Sequence, residues 1–67
     1  MLISYNEKED ILRIQLKDEG PQDVINVGSG ISIELDINEN PLALEIKNAS
    51  RIQKPEEILK VKIKFES

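Results

Sequence analysis

Three carboxylates, Glu34, Asp36 and Glu45, are the residues of this chain best suited by type and spacing to do chemistry. Period-two spacing sets Glu34 and Asp36 on one side of a strand, and an antiparallel return brings Glu45 across from them. Two chemistries use such a group. Acid–base hydrolysis needs paired carboxyl groups whose pKa values are pushed apart in a cleft. A hard cation needs oxygen ligands, about six or more for calcium and often from a loop. Asn38-Glu39-Asn40 lacks the spacing of such a loop. The plainer reading is the solvated outer face of a sheet buried on its other side. We take it over a metal-binding or metal-assisted hydrolytic site at Glu34, Asp36 and Glu45.

The other candidates are weaker still. Lys60, Lys62 and Lys64 alternate with Val61, Ile63 and Phe65. Lysines on an edge strand discourage strand-to-strand aggregation. The same row, about 7 Å per step, would also suit a run of phosphates. Tyr5 and Phe65 are the only aromatic residues, too few for a platform that stacks single-stranded bases. Asp10, just before a strand, fits a residue that ends a turn by accepting from nearby backbone N–H groups. Ser50 fits a helix cap. Gly28-Ser29-Gly30 lacks the length and the lysine of a phosphate-binding loop. Histidine and cysteine are absent, which removes the commonest general base, the commonest zinc ligand, disulfides and thiol chemistry. No catalytic constellation remains, and neither a cofactor nor a metal is expected.

The balance of 13 acidic against 9 basic residues, a formal charge of −4, argues against nonspecific nucleic-acid binding. No segment approaches the run of about 18 to 20 apolar residues that spans a bilayer. A soluble, cytoplasmic chain is the simplest expectation. At 67 residues it is expected to form a single domain over 1–67. A chain of this size buries only about 60% of its unfolded surface.

The elements that must position these residues follow from alternation. Ile31, Ile33, Leu35 and Ile37 precede Asn38-Glu39-Asn40-Pro41, and Leu42, Leu44 and Ile46 follow it. This predicts an antiparallel hairpin with one buried face. Parity then pairs Leu35 with Leu44 and Ile33 with Ile46, with a loop of two or four residues between Ile37 and Leu42. Asn40 is a candidate left-handed position, but Pro41 restricts it, so the turn type stays open. The same register sets Glu34 directly opposite Glu45, a repulsive pair that is either solvated or covered by something cationic. Before the hairpin, strands are predicted at Leu2–Tyr5, at Ile11–Lys17 with Leu12, Ile14 and Leu16 inward, and at Val24–Val27 with Ile25 and Val27 inward. Pairing Val27 with Ile31 makes Gly28-Ser29-Gly30 a three-residue turn. Pro55 followed by Glu56 and Glu57 signals a helix start. A turn or two of helix within 48–59 would lay Ala49, Ile52, Ile58 and Leu59 on the sheet. A last strand over 60–65 would complete the chain.

Laid out in this way, three pieces together resemble the YuzE-like family of small bacterial and archaeal proteins. They are Tyr5-Asn6-Glu7-Lys8-Glu9-Asp10-Ile11-Leu12-Arg13-Ile14, Gly30-Ile31-Ser32-Ile33-Glu34-Leu35-Asp36, and Leu44-Glu45-Ile46-Lys47-Asn48-Ala49-Ser50. The resemblance covers residues 2–52, leaving 53–67 as a helical turn and strand. Asn6, Arg13 and Asn40-Pro41 depart from the pattern, where Asp, Tyr and a glycine-containing turn are usual. The resemblance implies a compact β-meander with little helix and no established activity, so it assigns no site residues. It adds a hint of toxin–antitoxin pairing.

The sequence therefore predicts a mainly β (α+β) fold. It is an antiparallel β-meander of about five to six short strands with one short helix or helical turn packed on the sheet. Uncovered apolar surface on a small chain marks an interface. The expected function is a non-enzymatic interaction module, a homodimer or the partner of another small protein. Loss of metal-dependent stabilisation in Glu34→Gln and Glu45→Gln would favour the acidic site instead. Steeply salt-dependent binding through Lys60, Lys62 and Lys64 would favour nucleic acid.

Overall fold

Five strands form where apolar residues recur at every second position: β1 (Leu2–Asn6), β2 (Ile11–Gln15), β3 (Asp23–Gly28), β4 (Ile31–Leu35) and β5 (Pro41–Lys47). The computed structural model describes residues 1–58, 60, 62–64 and 66. All neighbouring strands are antiparallel, in the order β1-β2-β5-β4-β3. A hairpin (β1-β2) and a three-strand meander (β3-β4-β5) are thus joined by β5 pairing with β2. The sheet is open, with β1 and β3 at its edges.

Register sorts the side chains into two faces. One row across the sheet reads Ile3, Ile14, Leu44, Ile33, Ile25, and the next reads Tyr5, Leu12, Ile46, Ile31, Gly28. These rows make the apolar face. The other face carries Ser4, Arg13, Glu45, Ser32, Asn26 in one row and Leu2, Gln15, Ala43, Glu34, Val24 in another. β5 is the central strand because it is apolar on both sides at Leu42-Ala43-Leu44. Leu42 and Ala43 are buried, and Ala49 is the third and last buried residue among those described.

The turns depart from the sequence expectation in ways the backbone explains. Between β3 and β4 the pairing is Gly28 with Ile31, not Val27 with Ile31. Val27 sits in a bulge and is exposed. The loop is therefore two residues, Ser29 and Gly30, with φ of 54° and 80°, as a type I′ turn requires. A Cβ on Gly30 would stand 3.3 Å from the Lys47 carbonyl oxygen, so close approach as well as φ calls for glycine.

Between β4 and β5 the register lies two residues from the expected one: Ile33 pairs with Leu44, Ile31 with Ile46 and Glu34 with Ala43. A shift of two keeps every side chain on its face, so apolar patterning cannot distinguish the two registers. Asp36 decides it. Its carboxylate accepts from the N–H of Asn38 (2.8 Å) and Asn40 (2.9 Å) and from the Asn40 side-chain amide (3.2 Å). This holds 36–40 as a five-residue loop between paired Leu35 and Pro41. Glu39, not Asn40, takes the left-handed conformation (φ 63°). Ile37 falls in the loop and is 78% exposed rather than inward.

β2 ends at Gln15 because the N–H groups of Leu16 and Lys17 both turn to the Leu42 carbonyl. After β5, Asn48 takes a left-handed conformation and a 3-10 turn spans Ala49–Arg51. A single helical turn, α1 (Pro55–Ile58), follows. Of the expected helical cover, Ala49 packs inward, whereas Ile52 is 69% exposed because the 3-10 turn ends before it can reach the sheet. The side chain of Ile58 and the placement of Leu59, Val61 and Phe65 lie outside the described residues. Lys62, Ile63 and Lys64 belong to no strand, so the described sheet has five strands and not six. No helix among the described residues is long and apolar enough to cross a membrane.

Candidate functional site

The polar face is organised by Arg13 on β2. Its guanidinium forms a two-pronged ion pair with Glu34 on β4, one prong from Nη1 to Oε2 and the other from Nη2 to Oε1 at 3.0 Å. The same Nη1 reaches Glu45 Oε2 on β5 at 3.4 Å. To reach β4 from β2 the side chain must cross β5, and the residue opposite Glu34 on β5 is Ala43. Its small methyl leaves room for the crossing, and Ala43 is buried. Parallel N–H···O bonds from a planar fork are among the stronger charge-assisted contacts. They hold the Glu34 carboxyl below the ordinary glutamate range against the opposing effect of burial, and raise the Arg13 pKa.

The expected pairing of Glu34 with Glu45 is corrected, while the expected cation over the two carboxylates is present. Glu45 stands opposite Ser32 and Arg13, not Glu34. Arg13 is the cation lying between the two carboxylates. Asp36 does not join them. Its oxygens are engaged by its own loop, which lowers its pKa, chiefly through the Asn40 N–H. Among the described residues no three metal-ligating side chains converge. Arg13 was missed as a functional residue because its parity shows only that it points outward. Its role appears once β2 is known to lie beside β5.

A second constellation ties the ends of the β2 and β5 strands together. Asp10 closes the β1–β2 loop in a left-handed conformation (φ 57°). Its carboxylate accepts from Tyr5 Oη (2.6 Å), Ser50 Oγ (2.6 Å) and the Ser50 N–H (3.0 Å), while its carbonyl accepts from the Ala49 N–H (3.2 Å). The Ser50 hydroxyl first, then Tyr5, lowers the Asp10 pKa. The same bond to Asp10 pushes the Tyr5 pKa up to about 12. Asp10 does accept from backbone, but from a residue 40 positions away rather than from its own turn. Ser50 is not the expected cap: the residue before the 3-10 turn is Asn48, which makes no side-chain capping bond.

Tyr5, Asp10 and Ser50 lie in the sequence pieces that carry the family resemblance, and here they meet. A family model described as "Protein of unknown function (DUF2283)" matches residues 2–50, from β1 through Ser50. The chain belongs to this family. No curated protein and no solved structure matches the chain. The matched DUF2283 segment contains all five strands, the Arg13 network and the Asp10 latch, and ends where the latch closes.

Chemically, both constellations are closed. Arg13 already serves two carboxylates, and a 270 Å³ groove beside it, lined by Ser4, Asn6, Glu9, Ile11 and Glu45, brings in no other cation. Ser50 donates to a carboxylate whose pKa is lowered, a poor base for activating a nucleophile. Of the lysine row, Lys60, Lys62 and Lys64 are exposed, and Lys64 lies 3.9 Å from Glu66 in a pair too exposed to contribute much. Among the described residues, no second layer covers the apolar face, which meets only Ala49 of the 3-10 turn as a buried residue outside the strands.

Proposed function

We propose that this chain is a non-enzymatic protein-interaction module that works through the apolar face of its sheet. One observation supports the reading above the others. Two rows across the sheet carry eight aliphatic side chains and Tyr5, yet only Leu42, Ala43 and Ala49 are buried among the described residues. Ile25 on that face is 44% exposed. A sheet that is apolar on one side gains its stability by burying that side against a second layer. The 3-10 turn contributes Ala49 alone to such a layer. A partner, either another copy or another small protein, would supply it.

Within the DUF2283 family we place the chain in the YuzE-like group. The support is the three sequence pieces, two of which meet in the Tyr5–Asp10–Ser50 latch. An antitoxin-like role would be one specific form of the interaction reading.

The test is capture from a lysate of the source organism at moderate salt, using tagged wild type and an Ile25→Lys variant. The expected result is one stoichiometric small protein, or a further copy of the chain, held by the wild type and released by the variant. Recovery of the bait alone in both cases, from a chain that is also a single copy in solution, overturns the proposal.

A further inference from the structure

We infer that the occupant of the apolar face is a second copy of this chain, packed face to face about a two-fold axis to make a two-sheet sandwich. This rests on the interaction reading above and names its partner. Three features of the face support it.

First, the central row of the face is matched to itself. Across the sheet the central row reads Ile3, Ile14, Leu44, Ile33, Ile25, which is the same from either edge. β5, which carries Leu44, has two strands on each side. In an isologous interface residue i meets j and j meets i. With the two-fold axis along β5, Ile14 of β2 lies over Ile33 of the partner copy's β4. With the axis across β5, like strands lie over like. In the central row both arrangements set isoleucine against isoleucine and Leu44 against Leu44, so that row leaves no volume mismatch.

Second, the face can meet itself without repulsion. The ten positions of its two rows hold no ionisable side chain except Tyr5, whose hydroxyl already donates to Asp10. The Arg13 network and its carboxylates occupy the opposite face and would point away from the junction. Asp23, one pleat beyond Ile25, begins the polar rim.

Third, the area suits a weak, reversible pair. Five strands spaced about 4.8 Å apart and about 17 Å long give a flat footprint on the order of 400 Å² per copy. Two copies remove on the order of 800 Å² before the relief of the side chains is counted. That total lies below the ~1,200 Å² of standard specific interfaces and in the range of weak, transient ones. A reversible dimer is expected, not a permanent one.

Sedimentation velocity on the full chain, from about 1 μM to about 1 mM, tests this across the range of weak specific association. The wild type should pass from one-copy to two-copy mass. Ile25→Lys should shift the midpoint at least tenfold upward while keeping the β-sheet circular dichroism spectrum. Ile25 lies on an edge strand, so this change spares the fold; Ile33→Lys, nearer the centre, should act more strongly if it folds. Ser4→Lys on the polar face should leave the midpoint unchanged. A wild type at one-copy mass throughout overturns the inference, as does a dimer indifferent to Ile25→Lys. If that one-copy chain still captures a protein that Ile25→Lys releases, the interaction reading stands with a different partner. If it captures nothing and Ile25→Lys is destabilised as a monomer, the chain's own residues beyond 58 cover the face, and both readings fall.

Discussion

Replacing Arg13 with methionine keeps an apolar side chain of similar length and removes the charge between Glu34 and Glu45. A hydrogen bond to a charged group contributes about 1.5–3 kcal/mol when well formed. The Arg13 and Glu34 side chains are 31% and 15% exposed, so solvent screening brings the expected loss to about 1–2 kcal/mol at pH 7. For a domain of this size each kcal/mol moves the thermal midpoint by about 4–8 °C. The pH dependence is the sharper part. Glu34 has a depressed pKa in the folded protein. Its contribution is therefore complete above the unfolded glutamate value of about 4.3 and is lost as pH falls through the lower folded value. In Arg13→Met the Glu34 carboxylate, a diagonal neighbour of Glu45, loses the cation that depresses its pKa. Urea denaturation of both proteins from pH 7 to pH 3.5 should show a gap that is widest at neutral pH and closes on acidification. A gap that is absent at pH 7, or constant with pH, refutes the assignment of Arg13 as the electrostatic centre of the polar face.

Tyr5 is the single tyrosine in a chain without tryptophan, so its ultraviolet absorbance reports one group. It should ionise near 12 in the wild type and move down toward the ordinary value of about 10 in Asp10→Asn, which removes the bonded carboxylate. A tyrosine that titrates alike in both proteins contradicts the latch. Gly30→Ala places a side chain at φ 80° against the Lys47 carbonyl and should cost about 1–2 kcal/mol in a urea or thermal melt. An unchanged melt would contradict the type I′ turn.

Strand positions and faces were legible because apolar residues recur at every second position in β1, β2, β4 and β5, strictly so in β4. Two kinds of feature were not. Register escaped because shifting β4 against β5 by two residues preserves the apolar pattern. The choice lay in Asp36, whose carboxylate folds a five-residue loop rather than joining an acidic site. Val27 escaped in the same way, displaced by a bulge that lets Ser29 and Gly30 make the tighter turn. The long-range polar contacts escaped for a second reason. Arg13 meets Glu34 across 21 positions and Ser50 meets Asp10 across 40. The spacing of neither pair means anything until β2 and β5 are known to be neighbours. The family resemblance drew Tyr5, Asp10 and Ser50 into one pattern without stating that they touch.

The central claim is that the apolar face is open in the free chain and closed on association. Relaxation of isoleucine methyl protons by a nitroxide cosolute measures this directly, with Ile37 in the β4–β5 loop, 78% exposed, as an internal reference. In the free chain the Ile25 and Ile33 methyls should be relaxed by the cosolute. On association with a second copy or a captured partner they should be shielded, while Ile37 is unchanged. Equal relaxation of Ile25 and Ile33 in both states would contradict the account, because the face proposed to bind would have no part in binding.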